Sequence, residues 1–302
     1  MKKKRLWAWF MAAVMAIGLL PATALAEEAV AAPIKTVSTD ANQPIQMTKS
    51  VNDAGNAITM EAYVTNEVTL KDKSKPMDIV LVLDVSGSMA EGMSGATTKL
   101  GALKNAVNAF IDSVAADAQK NAVEHRISIV KFAGNKTGKV GNDTYGDRGY
   151  RYNYSQIVKN LTAAQSGKSD LKNAVNGLQA AGATGVDYGL ELVETVLQGE
   201  DATRGKAVIM FTDGEPNHEN GFDGSVAAKA VNTARKLKDA GAKVFTIGVF
   251  AKTYAENSNV GKYMNAVSSN YPKASVAGNW KNLQKGNRAE GNYYYTAANA
   301  ES

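Results

Sequence analysis

Short aliphatic runs alternate along this chain with segments in which apolar residues recur at helical spacing. The run at 79–83 is unbroken, as in a strand buried on both faces of a parallel sheet, and the runs at 126–132, 207–211 and 243–250 also indicate strands. Helical spacing is found at 100–114, 169–179, 186–198, 225–240 and 260–269. This order predicts an α/β fold, with a doubly wound, mainly parallel sheet flanked by helices on both faces.

The first 26 residues have the pattern of a secretory signal peptide. Four basic residues at positions 2–5 precede an apolar run at 6–20, and Ala24-Leu25-Ala26 offers a small-x-small cleavage pattern. The alternative is a retained membrane anchor, but the apolar run is shorter than the ~20 residues that a spanning helix needs. The sequence therefore predicts secretion, and we expect no membrane span after residue 27.

Charge and cysteine content narrow the class of protein further. The formal net charge is +5, but the basic residues at 2–5 account for most of it, so the remainder gives no footprint for nucleic acid. The chain has no cysteine, which excludes a disulfide framework in an exported protein. Export without disulfides is typical of Gram-positive bacterial surface proteins.

The segment between the signal peptide and the α/β domain has its own character. Residues 27–75 form an Ala-rich leader, a predicted strand pair around a turn at 53–56, and a charged linker. The α/β domain is predicted at 76–302. The segment "NYYYTA" at 292–297 is the predicted last strand, and the sequence given stops directly after it, without a helix to cover it. We therefore expect the domain to lack its last helix in what is a fragment of a longer protein.

Oxygen-bearing side chains follow several of the predicted strands. "DVSGS" ends the first buried strand, "FTDGEP" follows a later one, and "GATGVDYGL" precedes a helix. Ligands of open α/β sheets bind beyond the carboxyl ends of the strands, so these segments are expected to meet at one edge. The candidate metal ligands are Asp84, Ser86, Ser88, Thr184 and Asp213.

A donor set made only of oxygen atoms suits Mg²⁺, Mn²⁺ or Ca²⁺ and argues against zinc or copper. Two carboxylates and neutral hydroxyls would leave the ion with residual positive charge. An open coordination position would then attract an acidic group of a partner. The bland alternative is that Asp84 caps a helix and the serines form a turn.

These three motifs, in this order, resemble the von Willebrand factor A domain with its metal-ion-dependent adhesion site, over residues 76–302. The resemblance implies hydroxyl ligands from Ser86, Ser88 and Thr184, with Asp84 and Asp213 acting directly or through water. It also implies Mg²⁺, completed by a partner's carboxylate. One departure is Ala183, which replaces the second glycine of the family's Gly-Gly-Thr.

The segment before the domain is similar to Gram-positive pilus-tip adhesins, in which an A domain is inserted into, or follows, an immunoglobulin-like module. That resemblance implies a bacterial cell surface or cell wall location. It also makes Lys49 a candidate for an isopeptide crosslink, the alternative being a solvated strand lysine.

Three functions follow from these patterns. The first is an adhesion module that binds a protein or extracellular-matrix ligand through an exposed acidic residue. The second is a structural pilus or cell-wall assembly subunit with other pilus subunits as partners. The third is a metal-dependent hydrolase, but no G-x-S-x-G elbow, P-loop or Ser-His-Asp order occurs, so we expect no enzyme and no catalytic residue.

Several other residues are candidates for a role near the metal edge or on the surface. His125 is expected to open a strand, and His218 to lie exposed near the metal edge, where a ligand role is a minor alternative. Asp187 and Glu191 are expected on the polar face of the helix after Thr184. The tyrosines form either a contact surface or a self-packed hairpin, and they are Tyr145, Tyr150, Tyr152 and Tyr154.

Overall fold

The computed structural model describes residues 46–51, 58–63, 75–92, 98–249 and 254–297. The predicted signal peptide, the leader and the turn at 53–56 lie outside the described residues. The strand pair predicted before the domain is present: β1 (Gln46–Val51) and β2 (Ile58–Tyr63) pair antiparallel. Lys49 lies in β1, opposite Met60, and its crosslink remains a prediction.

The α/β domain follows with eleven further strands and five helices. The strands are β3 (Met77–Asp84), β4 (Arg126–Phe132), β5 (Lys136–Val140), β6 (Thr144–Asp147), β7 (Tyr150–Asn153), β8 (Ser155–Ala163), β9 (Gly205–Thr212), β10 (Lys243–Val249), β11 (Ser275–Val276), β12 (Leu283–Gln284) and β13 (Tyr294–Ala297). The helices are α1 (Lys99–Asn121), α2 (Lys168–Asn176), α3 (Val186–Leu197), α4 (Gly224–Asp239) and α5 (Asn259–Val267). Two short 3₁₀ helices span Gly87–Ala90 and Trp280–Asn282.

Seven strands form the central sheet, in the order β13-β10-β9-β3-β4-β8-β5. All neighbours run parallel except β4 and β8, which are antiparallel. The predicted α/β fold with a mainly parallel sheet is therefore confirmed. Strand β8 is not predicted from the sequence, because its polar lysine and asparagine interrupt the apolar pattern. The polar segment at 134–154 contains β5 and the β6–β7 hairpin.

The core has two apolar layers, one on each face of the sheet. Side chains alternate along a strand, so Leu81 and Leu83 face one layer with α1 and α2, whereas Val80 and Val82 face the other with α3, α4 and α5. All eight residues of β3 are buried. This two-sided burial explains the unbroken aliphatic run. It also places Asp84, the last residue of β3, at the carboxyl edge of the sheet.

The amino-terminal edge of the sheet is held by a histidine. His125 directly precedes β4 and is buried, and its Nε2 lies 2.5 Å from Asp117 Oδ2. The Met77 backbone N–H donates to its Nδ1 over 3.2 Å. His125 therefore joins the end of α1 to the start of β3, at the opposite edge from Asp84.

Within the described part of the chain, none of the helices combines the length and the apolar character needed to cross a bilayer.

The carboxyl end of α5 is capped by a lysine from α4. The half-buried Lys238 donates from Nζ to four backbone carbonyl oxygens, those of Ala266, Val267, Ser268 and Tyr271, over 2.9–3.2 Å. The last carbonyls of a helix lack partners within it, and they carry partial negative charge. One side chain therefore joins two helices of the same layer.

We expect Lys238→Met, which keeps an unbranched side chain and removes the donor, to lower the free energy of unfolding by about 2 kcal/mol, because buried carbonyls lose their partner. Urea denaturation followed by circular dichroism measures the change. The control is Lys236→Met, because Lys236 is exposed and only 3.6 Å from Glu194, so its loss should cost less than about 0.5 kcal/mol. Equal losses in the two variants would contradict the capping role.

Candidate metal centre

Two buried carboxylates lie at the carboxyl edge of the sheet. Asp84 is the last residue of β3 and is fully buried, and Asp213 directly follows β9 with a side chain that is 0 % exposed. These strands are parallel neighbours, with Leu83 opposite Phe211. Parallel pairing therefore brings two residues far apart in sequence to one edge.

Hydrogen bonds connect the two carboxylates to hydroxyl groups. Asp84 Oδ1 accepts from the Ser86 backbone N–H over 2.8 Å, and Asp84 Oδ2 accepts from the Thr212 hydroxyl over 2.7 Å. The Ser88 hydroxyl donates to Asp213 Oδ1 over 2.8 Å, and its oxygen lies 3.1 Å from that of Ser86. Four of the five predicted site residues thus belong to one network, together with Thr212. Thr212 could have been identified from the sequence, because its hydroxyl-bearing side chain directly precedes Asp213.

Thr184 lies in the loop before α3, between the two aspartate-bearing segments. The Gly87 N–H donates to the Gly182 carbonyl over 2.9 Å on one side. On the other side, Thr184 and Asn217 exchange two backbone hydrogen bonds of 3.1 Å. Thr184 is buried, and the structure brings its loop to the same edge as the other four predicted residues.

The two positions before Thr184 differ in what they tolerate. Gly182 has a φ of +106°, and an added Cβ would lie 3.0 Å from the Tyr152 ring, so glycine is required there. Ala183 is buried, and it is not among the positive-φ residues of the described chain. The alanine in place of the family's second glycine is therefore accommodated without backbone strain.

A buried lysine that the sequence does not predict also lies at this edge. Lys99 is the first residue of α1, and its side chain is 6 % exposed. Its Nζ donates to Asp213 Oδ2 over 2.7 Å and to Glu91 Oε2 over 2.7 Å. A cation is unfavourable in the first turn of a helix. The position of Lys99 at the start of a helix therefore indicates that its charge is paired with an acidic residue outside that helix.

At this edge the acidic side chains outnumber the basic ones. Burial, together with repulsion from Asp213, raises the pKa of Asp84 to about 7, and the hydrogen bonds from Ser86 and Thr212 offset only part of that rise. Burial by itself would lower the pKa of Lys99, but its bonds to Asp213 and Glu91 raise the pKa above its ordinary value. The buried ammonium group therefore pairs with Asp213 and with the exposed Glu91, whereas the hydrogen bonds of Asp84 come from Ser86 and Thr212.

Excess negative charge and oxygen donors fit a hard divalent cation. Across the described residues, no three His, Cys, Asp or Glu side chains converge on one point. The hydroxyl groups of Ser86, Ser88 and Thr184 are further oxygen donors at this edge.

The neighbouring Asp187 departs from expectation. It is fully buried, so its prediction as a polar-face residue is wrong, and its Oδ1 lies 2.9 Å from His218 Nε2. The tertiary partner explains the burial. The His218 ring is partly covered and stacks on Tyr188 at 4.6 Å between centroids, so its expected exposure is only partial. Glu191 is half-buried and pairs with Lys136, in keeping with a polar-face position.

The tyrosine-rich β6–β7 hairpin is anchored beside the same edge. Tyr145 packs against Tyr152 and Tyr154 at ring-centroid distances of 5.4 and 4.5 Å, whereas Tyr150 is 71 % exposed. Asn153 Nδ2 donates to the carbonyls of Val85, Gln179 and Ala181. Three of the four tyrosines are therefore self-packed, and Tyr150 remains available for contact.

Comparison with known proteins places this geometry in context. The profile of the von Willebrand factor type A domain matches residues 78–288. The collagen alpha-1(VI) chain of Gallus gallus is 25 % identical over 225 residues, which is 74 % of this chain and 20 % of that protein. Pilus adhesin SpaC from Lactobacillus rhamnosus GG is 19 % identical, covers 87 % of this chain and 33 % of its own, and has a TM-score of 0.51. The PilB minor pilin from Streptococcus sanguinis is 15 % identical and has a TM-score of 0.52. The match covers 80 % of this chain and 61 % of PilB.

These relatives are larger proteins, since the chain spans about a fifth of the collagen chain and a third of SpaC. At such identities the solved structures show a shared fold and no more. The profile, by contrast, matches well over half of the sequence and includes every predicted site residue. This chain therefore belongs to the von Willebrand factor type A domain family.

Proposed function

We propose that this chain is an adhesion module of a bacterial surface, which binds a protein or matrix ligand through a divalent metal completed by an acidic group of the ligand. The observation that carries the proposal is that two buried carboxylates, Asp84 and Asp213, each accept a hydrogen bond from a hydroxyl group. They lie at the edge of the sheet where ligands of this architecture bind. Membership of the family supports it, as does the structural similarity to a pilus adhesin and a minor pilin.

The metal would be held by the hydroxyls of Ser86, Ser88 and Thr184 and by Asp84 and Asp213, directly or through water. Mg²⁺ is our first choice, and Mn²⁺ or Ca²⁺ would suit the same oxygen donors. When bound, the ion supplies an electrophilic position for a carboxylate oxygen of the ligand. The chain's own part is orientation: Thr212 and the Ser86 N–H hold both oxygens of Asp84 in place.

A structural pilus or cell-wall assembly role is the second candidate. It is favoured by the similarity to the PilB minor pilin, of which this chain covers 61 %. Both roles use the same edge and differ only in the partner. Co-purification with a pilin subunit would favour assembly, and retention on immobilised matrix protein would favour adhesion.

The two histidines of the chain do not support the hypothesis of a metal-dependent hydrolase. His125 pairs with Asp117 at the opposite edge of the sheet, and His218 pairs with the buried Asp187. Neither His–Asp pair contains a nucleophilic side chain, and we propose no catalytic residue.

Export and domain division complete the proposal. A signal peptide at 1–26, a leader and β segment at 27–75, and the A domain at 76–302 remain predictions from the sequence. They are consistent with a secreted protein held at the cell surface or cell wall. N-terminal sequencing of the secreted protein would test the cleavage site after Ala26.

We expect residues 27–302 to bind Mg²⁺ one-to-one, and Asp84→Ala to abolish binding, because it removes the carboxylate at the centre of the network. Isothermal titration calorimetry measures both. Asp170→Ala is the control, since Asp170 is 65 % exposed and pairs with Lys159 on the surface. Ligand capture should likewise disappear in EDTA. Equal Mg²⁺ binding by wild type and Asp84→Ala would refute this site.

We expect Thr212→Val to weaken Mg²⁺ binding about tenfold, because Asp84 loses the hydroxyl that orients its Oδ2. The control is Thr246→Val, which removes a buried hydroxyl that donates to the Met264 carbonyl, away from the carboxylates. Thermal melts of both variants report any general loss of stability. An unchanged Mg²⁺ affinity in Thr212→Val would show that this hydroxyl does not orient Asp84 for the metal.

A further inference from the structure

The buried ammonium of Lys99 has a consequence for metal binding. We propose that Lys99 is an internal competitor of the divalent metal: by neutralising Asp213, it limits metal affinity and leaves the bound ion with positive charge for an acidic ligand. This inference rests on the proposed function, because it concerns the same edge. It adds a residue that tunes the site without contacting the ion.

The Lys99–Asp213 pair is shielded from solvent. The side chains are 6 % and 0 % exposed, and Nζ lies 2.7 Å from Asp213 Oδ2. Charges in such a position interact far more strongly than an exposed pair, which salt and water screen. Glu91, the second partner, is 65 % exposed. Asp213 is therefore the partner whose charge Lys99 controls.

The chain fixes Lys99 in this position from both sides. The Lys99 backbone N–H donates to the Glu91 carbonyl over 2.9 Å, and Gly92 and Thr98 form an isolated antiparallel bridge. The Thr98 side chain caps α1 by accepting from the Gly101 N–H over 3.0 Å. These contacts hold the first turn of α1 beside Asp213, so Lys99 is not a lysine free to swing into solvent.

Both oxygens of Asp213 are engaged as a result. Oδ1 accepts from the Ser88 hydroxyl and Oδ2 from Lys99. A bound divalent cation requires both buried carboxylates to be ionised. They then carry two negative charges, and Lys99 cancels one of them. A divalent cation at this edge therefore meets one uncompensated negative charge and retains about one positive charge. Without Lys99, the two carboxylates would neutralise the ion, which favours the metal and disfavours an acidic ligand.

The first test replaces Lys99 with the neutral, unbranched methionine. We expect Lys99→Met to bind Mg²⁺ about tenfold more tightly than wild type in calorimetry, because the competing charge is gone. Lys99→Arg, which keeps the charge, should stay within about threefold of wild type. Lys104→Met is the matched control, since it removes a half-buried lysine of the same helix, whose Nζ donates to the Asn176 carbonyl, and it should leave Mg²⁺ affinity unchanged.

A double variant tests the same inference without leaving a buried charge unpaired. Asp213→Asn alone should weaken Mg²⁺ binding more than about tenfold, because the freed ammonium repels the ion. Lys99→Met combined with Asp213→Asn removes both charges of the pair, a replacement that proteins tolerate. We expect its affinity to return to within about threefold of wild type. Circular dichroism melts confirm that each variant is folded.

The outcomes separate the two claims. Tighter binding by Lys99→Met, together with recovery in the double variant, supports the inference. If wild type binds Mg²⁺ through Asp84 but folded Lys99→Met binds no more tightly, or the double variant binds as poorly as Asp213→Asn, the inference is wrong and the proposed function stands. If neither wild type nor Lys99→Met binds Mg²⁺, both are wrong.

Discussion

The burial of Asp84 and Asp213 at one edge of the sheet is the constraint that the rest of the site satisfies. Ionised carboxylates are costly to remove from water unless they are hydrogen-bonded or paired. Here Thr212 and the Ser86 backbone serve Asp84, whereas Ser88 and Lys99 serve Asp213. Every one of these partners comes from a segment that the sheet positions. The strands β3 and β9 therefore contribute apolar side chains to the core and position the two aspartates at their carboxyl ends.

The two edges of the sheet contain different kinds of charged groups. At the amino-terminal edge, the fully buried Asp78 binds Arg126 and Arg204. Arg126 also pairs with Glu200, so two carboxylates match two guanidinium groups. At the carboxyl edge, the charge of the aspartates exceeds that of Lys99. An edge with matched charges contributes to stability alone, whereas an edge with excess negative charge has affinity left for a cation. This contrast explains why the proposed function is assigned to the carboxyl edge.

Metal affinity and ligand affinity make opposite demands on such a site. Each added carboxylate strengthens the hold on the ion and lowers the charge that the ion presents to an acidic partner. A lysine paired with Asp213 shifts that balance toward the partner. The β6–β7 hairpin is tied to Val85 through Asn153 and leaves Tyr150 exposed beside the same edge.

The sequence by itself determined the α/β fold, because runs of strand and helix periodicity report burial locally, and it placed the five candidate ligands at strand ends or before a helix. It failed where burial depends on contacts between distant segments. Asp187 is buried because His218, from another loop, pairs with it, and β8 is a strand because β4 and β5 flank it. The tertiary structure alone decided that Lys99 faces Asp213, since the hydrogen bond joins residues 114 positions apart and no local pattern specifies the partner of a buried charge.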